Sequence, residues 1–215
     1  MIHKSLFLNL CIVVLLLGST SCAQEIIEKP KELLLSEGFK NPIGFYNAKP
    51  TFSWKLPVSE NIKSQSAFQV IVASSRDLLP NTPDLWDSKK QKSTQSTFIN
   101  YQGKELQSRQ KVFWQVRFWN QNGDSSEWSE INSFELGLLN NSDWNAKWTG
   151  LDTAKDSIRG VRKFLMHRPQ YLRKEFQLSS DIKSARLYIT SKGVFDVHLN
   201  GENISDDILT PGWTP

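Results

Sequence analysis

Val112, Trp114, Val116 and Phe118 alternate with an opposite row carrying Phe113, Arg117 and Trp119. A two-residue period of this kind places one row on each face of an extended strand, and a helix cannot hold it. The same period recurs at Phe52, Trp54 and Leu56, set between Thr51, Ser53 and Lys55, and again at Phe68, Val70 and Val72. Leu85-Trp86-Asp87 and Thr97-Phe98-Ile99 read as shorter strands. Asn120-Gln121-Asn122-Gly123 is turn chemistry, because Asn and Gly tolerate positive φ. Trp128, then Phe134 and Leu136, carry the return strand. No stretch shows sustained helical periodicity. Roughly seven short strands between residues 33 and 138 predict an all-β chain whose first unit is an immunoglobulin-like sandwich.

Such a sandwich needs a core without covalent help. The two cysteines, Cys11 and Cys22, both lie near the N-terminus, so the rest of the chain has neither a disulfide nor a thiolate metal site. The eight Trp and twelve Phe supply the apolar volume instead. Large rings suit sandwich cores, and they also suit faces that stack on sugars.

Residues 1–24 read as an export signal: Lys4 gives a positive start, Leu6 to Leu17 is apolar apart from Asn9, and Gly18-Ser19-Thr20-Ser21 are small. The apolar run is short for a membrane span. Cleavage after Ala23 would free Gln24. Alternatively, Ser19-Thr20-Ser21-Cys22 resembles a bacterial lipobox, which would make Cys22 the lipidated N-terminus and the chain's sole attachment to a membrane. The predicted location is therefore periplasmic, outer-membrane lipoprotein or secreted. Residues 25–32 read as a short polar tether containing Pro30.

Residues 139–164 read as a connector, with Trp144 and Trp148 available to bury against a neighbour and a polar, loop-like stretch from Asp152 to Lys163. From residue 165 to 215 strands resume, at Leu172 to Leu178, Ala185 to Ile189 and Val194 to Leu199. Asn200-Gly201 is a two-residue hairpin signal. With Pro215 the sequence ends before a facing sheet is reached, so this second unit is expected to be incomplete.

The polar residues do not converge on a chemistry. Asp206-Asp207 is the tempting pair for glycoside hydrolysis, which needs two carboxylates across a bound sugar. Adjacent strand residues point to opposite faces, so a solvated loop is the better reading. Glu127, Glu130 and Glu135 flank the return strand, and Glu135 alternates with Phe134 and Leu136, so it is expected to face water. His3, His167 and His198 are spaced too far apart for a two-histidine metal motif, and no nucleophile elbow or phosphate loop is present. The net charge of +4 is spread along the chain. Its single basic run, Arg159, Arg162, Lys163, Arg168, Arg173 and Lys174, contains one Phe and one Tyr, sits between the two units and reads as a solvated linker rather than a nucleic-acid surface. The Asn140-Asn141-Ser142 and Asn203-Ile204-Ser205 sequons look incidental under a bacterial-type leader.

Residues 112–137, VFWQVRFWNQNGDSSEWSEINSFELG, resemble the last hairpin of a fibronectin type III domain. The order of blocks is more telling: NPIGFYNAKPTFSW, SAFQVIVASS, LWDSKK, the hairpin, SDWNAKWTG, YLRKEFQLSS, and a closing ARLYITSKGVFDVHLNGENISDDILTPGWT. This run resembles the N-terminal region of bacterial α-L-rhamnosidases, large inverting glycoside hydrolases. The resemblance implies a fibronectin type III-like domain, then a jelly-roll-like accessory domain, then an α/α-barrel catalytic domain. It implies hydrolysis of terminal α-L-rhamnose by the intact parent and places the catalytic carboxylates in the barrel, so no residue here receives a catalytic role. No cofactor is expected. A calcium ion is implied only for an intact accessory domain, where Asn200, Asp206 and Asp207 could contribute oxygens. Trp119 and Asn200 are the candidate sugar contacts; packing against the second unit and a turn role, respectively, compete with those readings. The implied partners are a missing downstream catalytic domain and a rhamnose-containing glycan. The alternative is a stand-alone cell-surface module that binds protein or carbohydrate through the sandwich.

Overall fold

A computed structural model describes residues 26–150, 157–159, 165–167 and 169–211. Nine strands form the first unit: β1 (Lys31–Leu35), β2 (Ile43–Phe45), β3 (Thr51–Lys55), β4 (Gln65–Ala73), β5 (Trp86–Asp87), β6 (Gln91–Lys92), β7 (Ile99–Asn100), β8 (Lys111–Asn120) and β9 (Asn132–Leu136). One sheet has the order β1-β3-β7. The other runs β2-β9-β8-β4-β5, with β6 also paired to β4. β2 lies parallel on β9, and the β4–β8 and β8–β9 pairs are antiparallel. Two sheets joined in this order are the immunoglobulin-like arrangement the alternating rows predict.

The register explains the core. Val70 pairs with Val116 and Val72 with Trp114, so the even-numbered rows of β4 and β8 share one face. They meet Phe52 and Trp54 from β3 and Phe134 and Leu136 from β9. The Phe52 and Trp114 ring centroids are 4.6 Å apart, and Trp54 meets Phe68 edge to face at 5.3 Å. Burying the Trp54 indole requires a partner for its N–H. Gln65 Oε1 accepts it at 3.0 Å, and the Gln65 amide donates in turn to the Ser93 and Gln95 carbonyls. On the outward face Ile71, Ala73 and Leu79 form a smaller cluster with Phe113, Trp128 and Ile131.

Backbone crowding fixes one glycine. A Cβ at Gly103 would lie 2.5 Å from the Leu85 carbonyl oxygen and 2.5 Å from the Trp86 Cβ. Lys104 N donates to the Leu85 carbonyl at 3.0 Å, which holds the two loops at that separation. Gly103→Ala is expected to destabilise the sandwich by about 1–3 kcal/mol, as overpacking does. Urea unfolding followed by tryptophan fluorescence checks it, and an unchanged midpoint would contradict the crowding.

Three expectations need correction. The segment read as a tether is seated on the sandwich. Ile27 is buried and bridges Ser126, Pro30 is buried, Lys29 pairs with Glu130, and β1 begins at Lys31. Polarity hid this because Ile27 and Pro30 are the only buried residues among those described in the segment, Ile27 beside Phe118 and Ile62. The stretch read as loop-like contains β10 (Ser157–Arg159), paired with β11 (Leu165–His167). Of the three strands read after residue 165, those at 172–178 and 185–189 are not formed, whereas the one at Val194 to Leu199 is partly paired, with Phe195 bridging Thr210. Among the described residues only β12 (His198–Leu199) and β13 (Glu202–Asn203) form a ladder there. Leu172, Phe176, Leu178, Leu187, Ile189 and Val194 are exposed. Alternation marks the two faces of a strand, but hydrogen bonding needs a neighbour. The hairpin itself is as read: Asn200 at φ +53° and Gly201 at φ +90° make the two-residue turn that needs both angles positive.

Candidate functional site

One cluster of bonded polar groups lies where the sandwich meets the connector. Arg109 sits just before β8 with φ at +67°, a conformation a side chain resists. Its amide donates to the Gly137 carbonyl at 3.0 Å, beyond β9. Next to it, Ser108 Oγ accepts the Leu139 amide at 2.9 Å and donates to Asp143 Oδ2. Asn140 and Asp143 close a short 3₁₀ turn as a capping box, with Asn140 N donating to Asp143 Oδ2 at 2.9 Å. The Ser108 hydroxyl and the Asn140 amide hold the Asp143 carboxyl below its ordinary value. Arg109 NH2 completes the connection by donating to the Asp143 carbonyl at 2.6 Å. A cleft of about 490 Å³ opens here, between Ala48, Leu106, Ser108, Arg109, Leu139 and Asp143. Its polar groups are bonded to one another, which suits a joint better than a ligand site.

A second contact lies one strand away. Glu135, on the outward face of β9, was expected to face water. It is 8% exposed and takes a two-pronged ion pair from Arg186: Nε to Oε1 at 2.6 Å and NH2 to Oε2 at 2.8 Å. The alternation identified the sheet face correctly but carried no information about its cover. Glu135 raises the Arg186 guanidinium above its ordinary value. Two residues on, the Tyr188 ring lies 5.6 Å from the Arg109 guanidinium. Trp144 and Trp148 differ from expectation: both are exposed, with Lys192 Nζ 5.7 Å from the Trp148 ring.

The residues singled out from the sequence do not assemble into a site. Trp119 is 9% exposed and flanked by Lys90 at 4.3 Å and Arg117 at 4.9 Å, and Arg117 also stacks on Trp128 at 4.6 Å. Its ring therefore packs within its own domain, neither free for a sugar nor set against the second unit. Asn200 occupies an exposed hairpin corner. Asp207 is exposed and accepts a bond from Ser205 Oγ at 2.8 Å, and Asp206 and His198 are exposed. Among the described residues no cluster of three or more His, Cys, Asp or Glu could hold a metal ion, and no helix is long and apolar enough to cross a membrane. Cys22 and the rest of residues 1–24, read as an export signal, lie outside the described residues.

Residues 32–140 match the family described as Rha78A-like, N-terminal immunoglobulin domain, half of the chain. The chain belongs to that family. Residues 180–215 of this Rha78A-like chain match the alpha-L-rhamnosidase N-terminal domain. An alpha-L-rhamnosidase of Formosa agariphila is 59% identical over 218 residues, covering 100% of this chain and 24% of its own length. One from an Alteromonas species is 45% identical over 209 residues, covering 94% of this chain and 22% of its own length. Among solved structures, the alpha-L-rhamnosidase from Dictyoglumus thermophilum superposes with a TM-score of 0.54 at 41% identity, over 57% of this chain and 14% of that one. The Aspergillus terreus enzyme, at 21% identity and a TM-score of 0.61, covers 86% of this chain and 20% of its own, and shows the fold alone. The chain thus spans 19% to 24% of the length of the curated relatives it matches and corresponds to their non-catalytic N-terminal region.

Sequence reasoning missed Ser108, Arg109, Asp143 and Arg186 in this rhamnosidase N-terminal region. One signal was available. Asn140-x-x-Asp143 has the spacing of a capping box, which marks Asp143 as a structural carboxylate. Nothing local pairs Arg186 with Glu135, 51 residues away.

Proposed function

We propose that this chain is the scaffold region of an exported α-L-rhamnosidase, a glycoside hydrolase whose intact form removes terminal α-L-rhamnose from glycans. The observation that carries the reading is the succession of two rhamnosidase N-terminal matches, residues 32–140 and 180–215, in one chain whose whole length aligns with 24% of an alpha-L-rhamnosidase at 59% identity. The sandwich supports the role of a rigid platform: its polar joint faces the connector, and Phe52, Trp54, Phe68, Trp114 and Phe134 are packed in its core. Inverting hydrolysis would need two carboxylates facing a sugar, with room between them for a water. That chemistry belongs to a further domain in this reading. Export rests on the apolar stretch Leu6 to Leu17 and the small residues after it, with Cys22 or Gln24 as the mature N-terminus.

The purified 215-residue chain is expected to release no nitrophenol from a nitrophenyl α-L-rhamnoside. Turnover that copurifies with the protein and disappears on substitution of one carboxylate would overturn the scaffold reading. Mass spectrometry of the protein from a native host is expected to give an N-terminus at Gln24 or at acylated Cys22. A retained Met1 would overturn the export reading.

A further inference from the structure

We infer that Arg109 and the Glu135–Arg186 pair form an intramolecular latch, an interaction surface on the outward face of the larger sheet whose partner is the segment around Arg186 and Tyr188 of the same chain. The inference deepens the scaffold reading by naming the surface that sets the angle between the sandwich and the second unit.

Three observations carry it. Glu135 is nearly buried, and both of its carboxylate oxygens are taken by one guanidinium at 2.6 and 2.8 Å. A planar fork on a carboxylate fixes orientation as well as distance. The flanking sequence is otherwise loosely held, since Leu187 and Ile189 are 59% and 45% exposed. Arg186 and Tyr188 are therefore the points of attachment in that stretch.

The second observation is the position of Arg109. Its guanidinium donates to the Asp143 carbonyl in the connector and lies against the Tyr188 ring. One side chain thus touches the sandwich, the connector and the second unit. The third is its backbone. A non-glycine residue at φ +67° is retained against a local energetic cost. Glycine would relieve that cost, but it would also remove the guanidinium that joins the three parts.

Trypsin cleaves after lysine and arginine, so Arg186 reports directly on whether the latch is closed. Cleavage at a site held by a contact tracks the population of the open form when closing is fast. In the full chain, Glu135→Gln is expected to accelerate cleavage after Arg186 by about tenfold, the scale of coupling between directly bonded side chains. Cleavage after Lys192 or Arg173 should be unchanged. Glu135→Lys should accelerate cleavage after Arg186 further through like-charge repulsion, and 1 M salt should accelerate it in the unsubstituted chain, because exposed parts of the pair are screened.

Arg109→Gly keeps the fold, because it relieves the positive φ. It should raise chymotryptic cleavage after Tyr188 by about fivefold. Cleavage after Arg186 that is as fast in the unsubstituted chain as in Glu135→Gln would overturn the latch. So would an Arg109→Gly chain in which Tyr188 is cut no faster. Neither result depends on rhamnoside turnover, so the latch and the scaffold reading can fail separately.

Discussion

Trp114→Ala is expected to destabilise the sandwich by about 3–5 kcal/mol, the cost of removing a fully buried indole. Trp114 is 1% exposed at the centre of β8 and lies opposite Val72 of β4. Its ring lies 4.6 Å from that of Phe52 in the facing sheet, so the substitution opens a void between the sheets rather than at a rim. Neighbours on β4 and β9 are tied by ladder hydrogen bonds and cannot collapse into the space. A domain of this kind is stable by about 5–15 kcal/mol, so the substitution removes a large part of that margin. Trp54→Ala should cost a similar amount and leave Gln65 Oε1 without its indole donor at 3.0 Å. Urea melts of each variant measure both. A midpoint unchanged in both variants would show that these rows do not face the core.

The core was legible in the sequence because a sandwich writes its faces into a period of two. Phe52, Trp54, Val70, Val72, Val112, Trp114 and Val116 all fall where that period puts them. The hairpin at Asn200-Gly201 was legible because positive φ at two successive residues selects for Asn and Gly. Contacts across long sequence separations were not. Glu135 obeys the alternation and points away from the core, yet Arg186 covers it. Trp119 obeys it too, yet Lys90 and Arg117 close over its ring. In both cases the pattern identified a sheet face, and the cover came from distant residues. The strands read at 172–178 and 185–189 failed for a related reason. Their apolar rows are present, but a row becomes a strand only when a neighbour accepts and donates its backbone bonds.

The unburied rows set the second large effect. A chain comprising residues 26–215 is expected to self-associate at concentrations on the order of micromolar to millimolar, whereas one ending at Gly150 should stay monomeric. Tyr171, Leu172, Phe176, Leu178, Leu187, Val194, Ile208 and Leu209 are all at least 59% exposed. Burying one such side chain is worth about 1.5–3 kcal/mol, so two copies that cover even a few of them outweigh the entropy of association. Unpaired strand edges in the same region add ready hydrogen-bonding templates. The latch cannot prevent this, since it holds the segment only around Arg186 and Tyr188 and leaves Leu187 and Ile189 outward. Within residues 26–150 the large rings Phe52, Trp54, Phe68, Trp114 and Phe134 are already inside. Sedimentation velocity over a concentration series separates the outcomes. Growth of the longer chain's sedimentation coefficient with concentration, beside a constant value for the shorter one, is the expected result. A longer chain that remains a monomer throughout, with protease resistance extending past Leu199, would mean that residues 169–211 fold onto the sandwich in solution and bury these rows themselves.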